Sequence, residues 1–349
     1  MQRKIKVLFS SHDFKFLNHV VSRYKQDPGY EVLLEEHEGH VIQDTEECKK
    51  LLEVVDIIFC EWCLGNAEWY SQNKKRHQVL IIRLHHQEVN LPFLDRIEWG
   101  NVDKILFICP NNKKLFLKKF PYLNEKTLLL YNLIDCASFR IPKLYGAEFN
   151  LGFIGSAPMR KAPHIAVDIL NRLKQSDSRY TLYFKGKQPF EYDWLWRRPE
   201  ERRYYEKLYE EINTSSYADS IIFDPHGNDV QEWFSKIGFL LSTSDHEGSH
   251  QAVAEGMASG AIPVIRNWDG ADQLYPAKYV FRDIEEAVEL ILKWKTRNIY
   301  DHECNEAERY AQENFDYHEI LKIYDTLISN LLGRKKSTGY LKESIVEDS

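Results

Sequence analysis

Two glutamates stand eight positions apart in a stretch rich in glycine, serine and alanine. Residues 242–265 read STSDHEGSHQAVAEGMASGAIPVI, with Glu247 in a polar loop and Glu255 inside a short helical pattern. We expect that helix to cover residues 250–259, with Ser249 as its N-cap. The first amides of a helix lack intrahelical partners and lie at the positive end of its dipole, so they can bind a diphosphate.

The spacing predicts one carboxylate on each side of such a diphosphate. Glu247 precedes the helix, and Glu255 lies in its second turn, about 7–8 Å along the axis from the helix start. Carboxylates accept hydrogen bonds from sugar and ribose hydroxyls. Gly256 costs a helix about 1 kcal/mol relative to alanine, which indicates close packing or close approach of a ligand at that turn. Gly260 is expected to end the helix.

A simpler interpretation of Glu247 is helix capping. Residues 244–247 match the capping box S-x-x-E, in which Glu247 would do no more than stabilise a helix start. In that case Gly248 would lie in the first turn, although the apolar spacing begins only at Ala252. The pattern therefore favours a ligand site over a cap.

The elements that must position these residues follow from short apolar runs along a chain of 349 residues. The runs are rich in β-branched and aromatic residues and lack polar alternation, which is typical of parallel strands buried on both faces. Helical spacing at 164–175 and 284–295 lies between them, so we predict an α/β fold. The runs are 5–10, 30–34, 55–60, 79–84, 104–109, 127–131, 150–155, 180–186, 221–224, 238–242, 261–265 and 278–281.

The length favours two domains. Pro142 and Gly146 interrupt any regular element at 139–150, so we predict two doubly wound, Rossmann-like domains, residues 1–142 and 148–300. A last helical segment, 304–332, would pack back on the body, and 333–349 form a polar tail. Because ligands bind beyond the carboxyl ends of parallel strands, two such domains are expected to face a central cleft.

Composition excludes several classes of function. A net charge of −7 argues against general binding of nucleic acid. The first residues lack a signal-peptide core, and no apolar window of about 18 residues predicts a membrane span. Six scattered cysteines indicate reduced thiols and a cytoplasmic protein. Cys60 and Cys63 form a CxxC at a strand end, where two buried thiols are favoured over a zinc or redox site.

The stretch EGSHQAVAEGMASGAIPVI, residues 247–265, resembles the E-x7-E signature of retaining glycosyltransferases of the GT-B fold, family four. Further segments agree in order, from 129–135 through 151–170 and 180–187 to 221–245. The resemblance covers residues 130–282 well and the N-terminal part more loosely. It implies a GT-B fold and transfer of a sugar from a nucleoside diphosphate to an acceptor hydroxyl, with retention of anomeric configuration.

The resemblance also implies roles for residues on the donor side. Glu247 would contact the donor sugar's hydroxyls near the reacting carbon, and Glu255 would hold the ribose. Lys161 would bind the phosphates, whereas Ser156 stands where the family usually has an arginine; Arg160 is the candidate to supply that charge. The donor side is completed by the turn around the helix start and by one strand-end lysine, namely Gly248, Ser249, His250, Gln251 and Lys185.

The acceptor side is expected in the N-terminal domain. The run 79–84 is followed by histidines, and the family often has one here that reaches the sugar; His85 is preferred, with His86 as the alternative. Aromatic residues after the third strand either form a sugar-stacking wall or simply pack. The other acceptor-side candidates are Arg83, Glu88, His12, Asp13, Glu61 and Trp62. Many relatives have a Gly-Gly pair after the first strand, and this chain has none.

Two further segments have unusual compositions. Residues 111–123 are basic with interspersed leucine and phenylalanine, which fits either a weak interfacial helix at the inner face of a membrane or an amphipathic helix packed on the sheet. Residues 194–212 predict a charged helix, and the sequence assigns it no role.

We therefore expect a metal-independent hexosyltransferase without a cofactor, since no Asp-x-Asp motif is present. Its partners would be a nucleoside diphosphate sugar and a glycan or lipid-linked glycan, in cell-surface or other glycan biosynthesis. Two alternatives stay open: an enzyme of the nucleotide-sugar epimerase type, and a non-catalytic subunit that binds nucleotide or glycan.

Overall fold

The computed structural model describes residues 3–42, 44–294 and 296–346, and the side chains of these residues except those of 297 and 336–346. The chain divides into two units. One comprises Met1–Leu133 together with Tyr317–Ser349, and the other comprises Ile134–Asp316. Within the described ranges, no helix combines the length and the apolar character that crossing a membrane requires.

The first unit is built on a parallel six-stranded sheet of order β2-β1-β3-β4-β5-β6. An α-helix connects each pair of successive strands except β4 and β5, which are joined by short 3-10 helices at 87–90, 92–95 and 99–101. The strands are β1 (Ile5–Ser11), β2 (Tyr30–Glu36), β3 (Ile57–Glu61), β4 (Val79–Leu84), β5 (Lys104–Phe107) and β6 (Thr127–Leu129). The helices are α1 (Asn18–Gln26), α2 (Thr45–Val54), α3 (Gly65–Asn73) and α4 (Pro110–Lys119), joined at the end of the chain by α13 (Tyr317–Val346).

The second unit repeats the plan with a parallel sheet of order β12-β11-β10-β7-β8-β9. Its strands are β7 (Asn150–Ile154), β8 (Thr181–Lys185), β9 (Ile221–Asp224), β10 (Phe239–Ser242), β11 (Ile262–Arg266) and β12 (Val280–Phe281). Its helices are α5 (Pro163–Ser176), α6 (Asp193–Trp196), α7 (Pro199–Thr214), α8 (Val230–Phe234), α9 (Gln251–Ala258), α10 (Ala271–Leu274), α11 (Ile284–Trp294) and α12 (Arg297–Phe315).

Burial on both faces of the sheet explains the unbroken apolar runs. In β3, Ile57 and Phe59 join the apolar cluster on one face, whereas Ile58 and Cys60 join the cluster on the other. Successive side chains of a strand point to opposite faces, so both sets must be apolar when helices cover both sides. Each of the twelve predicted runs overlaps a strand, and the predicted α/β class is confirmed.

The chain divides earlier than the sequence suggested. Gly146 does have a left-handed backbone, with φ of 85°, but residues from Ile134 onward already belong to the second unit. Lys143 Nζ donates to the carbonyls of Phe234 and Ile237, and the Leu144 amide donates to Ser235. These contacts tie the segment before β7 to the second unit, so the predicted boundary at 142–148 lies inside that unit.

The C-terminal segment also differs from the prediction. The helical pattern at 304–332 is divided at Asp316, whose extended backbone (φ −62°, ψ 131°) ends α12. α12 belongs to the second unit and α13 to the first, where Ile320, Tyr324 and Ile328 lie in the core. α13 continues to Val346, through most of the predicted polar tail; residues 347–349 of that tail lie outside the described residues.

Candidate functional site

Glu247 lies in the loop that follows β10 and is held by two cations. Lys161 Nζ approaches its Oε1 atom to 2.5 Å and Arg160 Nη1 to 3.4 Å, while the Ser244 hydroxyl donates to the same oxygen at 2.7 Å. Burial acts to raise the pKa of Glu247, but His250, Lys161 and Arg160 outweigh it and lower the pKa to about 2. The carboxylate is therefore ionised at neutral pH. We call Glu247, Lys161, Arg160 and Ser244 the Glu247 cluster.

Lys161 and Arg160 lie in the loop between β7 and α5. Residues that follow β10 hold this loop in place through hydrogen bonds to its backbone. The Thr243 hydroxyl donates to the carbonyls of Lys161 and Ala162 at 3.0 and 2.8 Å, and the Asp245 amide donates to Arg160 O at 2.8 Å. Ala162 has a left-handed φ of 49°, which an alanine rarely adopts. Burial lowers the pKa of the Lys161 ammonium, although Glu247 opposes that shift.

The capping interpretation of Glu247 is not supported by the local structure. No helix starts at Ser244; the chain stays irregular until α9 begins at Gln251. The Ser244 hydroxyl instead donates to the Glu247 carboxylate itself. Glu247 is therefore one member of a charged cluster at the carboxyl end of a parallel strand, where α/β folds bind ligands.

The helix that follows starts one residue later than expected. The N-cap is His250, not Ser249, with a left-handed φ of 43° and no side-chain hydrogen bond to the first turn among the described residues. His250 Nδ1 hydrogen-bonds the Ser242 hydroxyl at 2.6 Å, and the Tyr275 hydroxyl donates to Ser249 O at 2.5 Å. Burial lowers the pKa of His250 to about 3, so its imidazole is neutral.

Glu255 and Gly256 lie within α9. Gln251 Nε2 donates to Glu255 Oε1 at 3.0 Å, and burial raises the pKa of Glu255. A Cβ on Gly256 would approach Leu240 Cδ2 to 2.6 Å, so close packing accounts for this glycine. Gly260 ends the helix as predicted, with φ of 78° and its amide bonded to Met257 O.

Lys185 ends β8 but is engaged elsewhere. Its Nζ atom contacts both carboxylate oxygens of Asp229, at 2.8 and 2.9 Å. The structure therefore gives Lys185 an ion pair of its own, and this predicted donor-side residue contacts Asp229 instead of the Glu247 cluster.

A second charged cluster occupies the first unit, at the carboxyl ends of β3 and β4. Glu61 is fully buried, and its Oε1 atom lies 2.7 Å from both Arg83 Nη1 and His85 Nε2. Burial acts to raise the pKa of Glu61, but Arg83 and His85 outweigh it and lower the pKa. Arg83 also donates to Asn132 Oδ1 at 2.5 Å. Glu61, Arg83 and His85 are called the Glu61 cluster.

His85 is held on three sides. Its amide donates to Glu88 Oε2 at 2.7 Å, and its ring stacks on Trp62 with centroids 4.0 Å apart. Burial raises the pKa of Glu88. Trp62 has a left-handed φ of 67° and is only 6% exposed, which favours packing over an open sugar-stacking wall. His86 points to a different partner, Asn112 Oδ1, at 2.9 Å.

The remaining acceptor-side candidates lie close to Trp62. Trp62 Nε1 donates to Asp13 O at 3.1 Å, and the His12 ring centroid is 5.1 Å from that of Trp62. The structure thus brings His12, Asp13, Trp62 and His85 together at one edge of the first sheet. Cys60 and Cys63 are buried free thiols, as the sequence analysis favoured. Burial raises the pKa of both thiols.

The basic segment 111–123 turns its apolar side chains inward. Phe116 and Phe120 are buried in the core of the first unit, and Leu115 and Leu117 pack against it. Lys114, Lys118, Lys119 and Tyr122 remain exposed. This arrangement favours the amphipathic helix packed on the sheet.

Several residues that complete these clusters gave no signal in the sequence. Serine, threonine, asparagine and tyrosine are common in loops, and nothing in their spacing marks a partner. They are Ser242, Thr243, Ser244 and Tyr275 in the second unit and Asn132 in the first. Among the residues that the structure describes, no group of three or more His, Cys, Asp or Glu side chains is arranged to hold a metal ion.

Comparison with known proteins finds similarity to solved structures. No family model matches the chain, and no curated protein matches its sequence. A crystal structure of HepE from Anabaena, in complex with UDP, is similar with a TM-score of 0.68 at 16% identity, covering 94% of this chain and 100% of that one. A glycosyltransferase from Rickettsia africae has a TM-score of 0.71 at 12% identity, with 95% and 99% covered.

A third solved structure, a UDP-forming α,α-trehalose-phosphate synthase from Burkholderia xenovorans, has a TM-score of 0.68 at 11% identity. It covers 94% of this chain and 99% of its own. The fold is that of the GT-B glycosyltransferases. The predicted GT-B fold is thereby confirmed, whereas assignment to family four stays a prediction.

Proposed function

We propose that this GT-B protein is a retaining, metal-independent hexosyltransferase of the family-four type. It transfers a sugar from a nucleoside diphosphate sugar to an acceptor hydroxyl in glycan biosynthesis. The observation that carries the proposal is the Glu247 cluster, a buried carboxylate held by Lys161 and Arg160 at the carboxyl end of β10. The N-cap of α9, His250, lies three residues beyond Glu247, and among the described residues its side chain makes no hydrogen bond to the first turn.

The cluster supplies the electrostatics that the reaction needs. Negative charge develops on the diphosphate as the bond to the sugar breaks, and Lys161, Arg160 and the first amides of α9 stabilise it. Glu247 accepts hydrogen bonds from donor sugar hydroxyls, and Glu255 from the ribose. The acceptor hydroxyl attacks the anomeric carbon on the face that the diphosphate leaves, and the leaving phosphate takes its proton.

Lys161 already has an anionic partner in Glu247. A diphosphate that binds Lys161 therefore competes with the carboxylate for the same ammonium. This gives Glu247 a distinctive behaviour: its removal should release Lys161 for the nucleotide while abolishing a contact to the sugar. Binding and transfer should respond to the same substitution in opposite directions.

The test measures both quantities. Binding of UDP is measured by calorimetry, because the similar structure of HepE contains UDP and the similar trehalose-phosphate synthase forms UDP. GDP and ADP are measured alongside. Lys161→Ala should weaken binding of the preferred diphosphate at least tenfold, because it removes a charge-assisted contact. Lys236→Ala is the matched control, since Lys236 pairs with Asp224 away from the cluster. Glu247→Gln should bind the diphosphate as tightly as the wild type or more tightly.

Transfer is followed by NMR with the sugar nucleotide of the base so identified, with and without a panel of glycan acceptors. Glu247→Gln should lower turnover about 10²–10³-fold. A product with inverted anomeric configuration would contradict retention. Free sugar or an interconverted donor formed without acceptor would instead support the epimerase-type alternative. Tight nucleotide binding with no turnover would support the non-catalytic subunit, and no binding of any diphosphate would refute the donor site.

The acceptor is proposed to be a glycan or a lipid-linked glycan. Contact with the inner face of a membrane would rest on exposed lysines such as Lys114, Lys118 and Lys119, because the apolar side chains of α4 lie in the core or pack against it. Such an electrostatic contact should appear as sedimentation with anionic vesicles that salt abolishes. Sedimentation that resists salt would contradict it.

A further inference from the structure

The segment 194–212, to which the sequence assigns no role, forms the end of α6 and most of α7. α7 covers Pro199–Thr214 and buries Leu208 and Ile212 against its unit. The same helix also buries an acid and a tyrosine, Glu201 and Tyr205, which are 5% and 1% exposed. Residues four apart lie on one face of a helix, so both side chains point in the same direction.

That face of α7 holds the loop that carries the two cations. Glu201 Oε2 accepts a hydrogen bond from the Met159 amide at 2.7 Å, and the Tyr205 hydroxyl donates to Ser156 O at 2.8 Å. Met159 immediately precedes Arg160 and Lys161 in the chain. α7 therefore fixes the loop at two backbone positions just before the side chains that contact Glu247.

The loop is fastened on its other side by the segment after β10. Thr243 donates to the carbonyls of Lys161 and Ala162, and the Asp245 amide donates to Arg160 O. The two supports bond different atoms, so neither replaces the other. The first sets where the loop leaves β7, and the second sets how it enters α5.

The chemistry of the α7 contacts indicates more than packing. A buried carboxylate is costly unless hydrogen bonds compensate its lost hydration, and an apolar side chain would fill the same space without that cost. A carboxylate that accepts from one particular amide fixes the backbone around it. The hydroxyl of Tyr205 does the same for the carbonyl of Ser156, at the position where relatives of the resembled family usually have an arginine.

We propose that Glu201 and Tyr205 are positioning residues that hold Lys161 and Arg160 where a diphosphate binds, without touching the diphosphate themselves. This inference rests on the proposed function, because it presumes that these cations bind a diphosphate. It gives α7 a role in phosphate affinity, separate from recognition of the nucleoside.

The test compares a ligand with phosphates to one without. Affinities for UDP and for uridine are measured by calorimetry and ligand-observed NMR on the wild type and on Tyr205→Phe. UDP should bind about five to ten times more weakly to the variant, because one buried hydrogen bond that fixes the loop is lost. Uridine should bind within about twofold of the wild type, because it lacks the phosphates that Lys161 contacts.

The matched control is Tyr209→Phe, one turn further along α7. The Tyr209 hydroxyl bonds Gln188 Oε1 at 2.8 Å and does not contact the loop. This variant should leave the affinities for both UDP and uridine unchanged. An equal loss of UDP affinity in Tyr205→Phe and Tyr209→Phe, or an equal weakening of UDP and uridine, would overturn the positioning role.

Glu201 provides a second, independent arm. Glu201→Gln keeps a carbonyl oxygen for the Met159 amide and should retain UDP affinity within about threefold, whereas Glu201→Leu should lose about tenfold or more. Equal affinities in the Leu and Gln variants would contradict the proposal. A wild-type protein that binds neither UDP, GDP nor ADP would refute the proposed function itself, whereas normal wild-type binding with unaffected variants would refute only this inference.

Discussion

The Glu61 and Glu247 clusters both stabilise a buried carboxylate, but they differ in how their basic partners are held and how far these are exposed. Each places a carboxylate beside two basic side chains at the carboxyl end of a parallel strand. Glu61 and Arg83 are directly paired in the register of β3 and β4, and the side chains of the cluster are at most 4% exposed. The partners of Glu247 lie on a loop, and the side chains of Lys161 and Arg160 are 14% and 35% exposed.

The difference shows what burial does to an ion pair. In the Glu61 cluster the pairing of Glu61 with Arg83 is fixed by the sheet, and water cannot replace a lost partner. Removal of one charge therefore leaves the other buried without compensation. In the Glu247 cluster, water or a ligand can take the place of a lost partner. We therefore expect the Glu61 cluster to dominate stability and the Glu247 cluster to dominate ligand binding.

The largest effect should come from Glu61→Gln. It leaves the Arg83 guanidinium buried without its counter-charge, and breaking such a pair costs about 3–5 kcal/mol of unfolding free energy. Urea unfolding measures the loss. The double variant Glu61→Gln with Arg83→Met should recover part of it, because no buried charge remains. A loss below about 1 kcal/mol in the single variant would contradict the comparison.

The next largest loss of stability is expected when Gly65 is replaced by alanine, and the same substitution at Gly256 should cost less. A Cβ at Gly65, which begins α3, would lie 2.6 Å from the backbone oxygen of His40. A Cβ at Gly256 would lie 2.6 Å from Leu240 Cδ2, the end of a side chain, and 3.2 Å from the Phe234 ring. We expect Gly65→Ala to lower the unfolding free energy by about 2–3 kcal/mol. Gly256→Ala should cost less than about 1 kcal/mol, because Leu240 can shift and alanine favours the helix. Equal thermal shifts would be inconsistent with this difference.

The pH dependence of stability should reveal the neutral His250. Its pKa is about 3 in the folded chain, compared with 6.5 for an ordinary histidine. Between these values the unfolded state binds a proton that the folded state does not, so stability falls as the pH falls. From pH 7 to 5 the wild type should lose about 2 kcal/mol more than His250→Asn. Asparagine tolerates the left-handed backbone, and parallel pH profiles would disprove the assignment.

The smallest change in stability is expected for Glu247→Gln. Lys161 and Arg160 can be hydrated once the carboxylate is gone, so the unfolding free energy at pH 7 should fall by only about 1 kcal/mol. Comparison of its urea midpoint with that of Glu61→Gln tests the contrast between the two clusters directly. If Glu247→Gln lost as much unfolding free energy as Glu61→Gln, the proposed contrast between the two clusters would be wrong.

The strands were the most predictable part of the fold. Burial on both faces forces every residue of a central parallel strand to be apolar, so runs such as 79–84 indicate strands without any partner being known. The division of the chain was not predictable from Pro142 and Gly146. These residues mark local breaks, whereas the division depends on contacts of Lys143 and Leu144 with residues some ninety positions away.

The candidate site shows the same limit. The spacing of Glu247 and Glu255 and the resemblance of the loop around Lys161 indicated which residues to examine. The pairing of Glu61 with Arg83 depends on the register of two strands, and the sequence of neither strand specifies that register. The left-handed backbone of His250 depends on Ser242 and Tyr275, which hold it from other elements.

The first unit is built from two separate stretches of the chain, because α13 returns to it after the second unit is complete. Ile320, Tyr324 and Ile328 share an apolar cluster with residues of β1 and β3, which are made about 260 to 320 residues earlier. At about 5–20 residues per second, a ribosome takes on the order of ten to forty seconds to produce residues 134–316. Throughout that time this face of the N-terminal sheet has α1 but lacks α13, whereas the second unit is continuous in the chain and can complete its core first. During synthesis the first unit would therefore finish folding after the second, although its sheet is made before it.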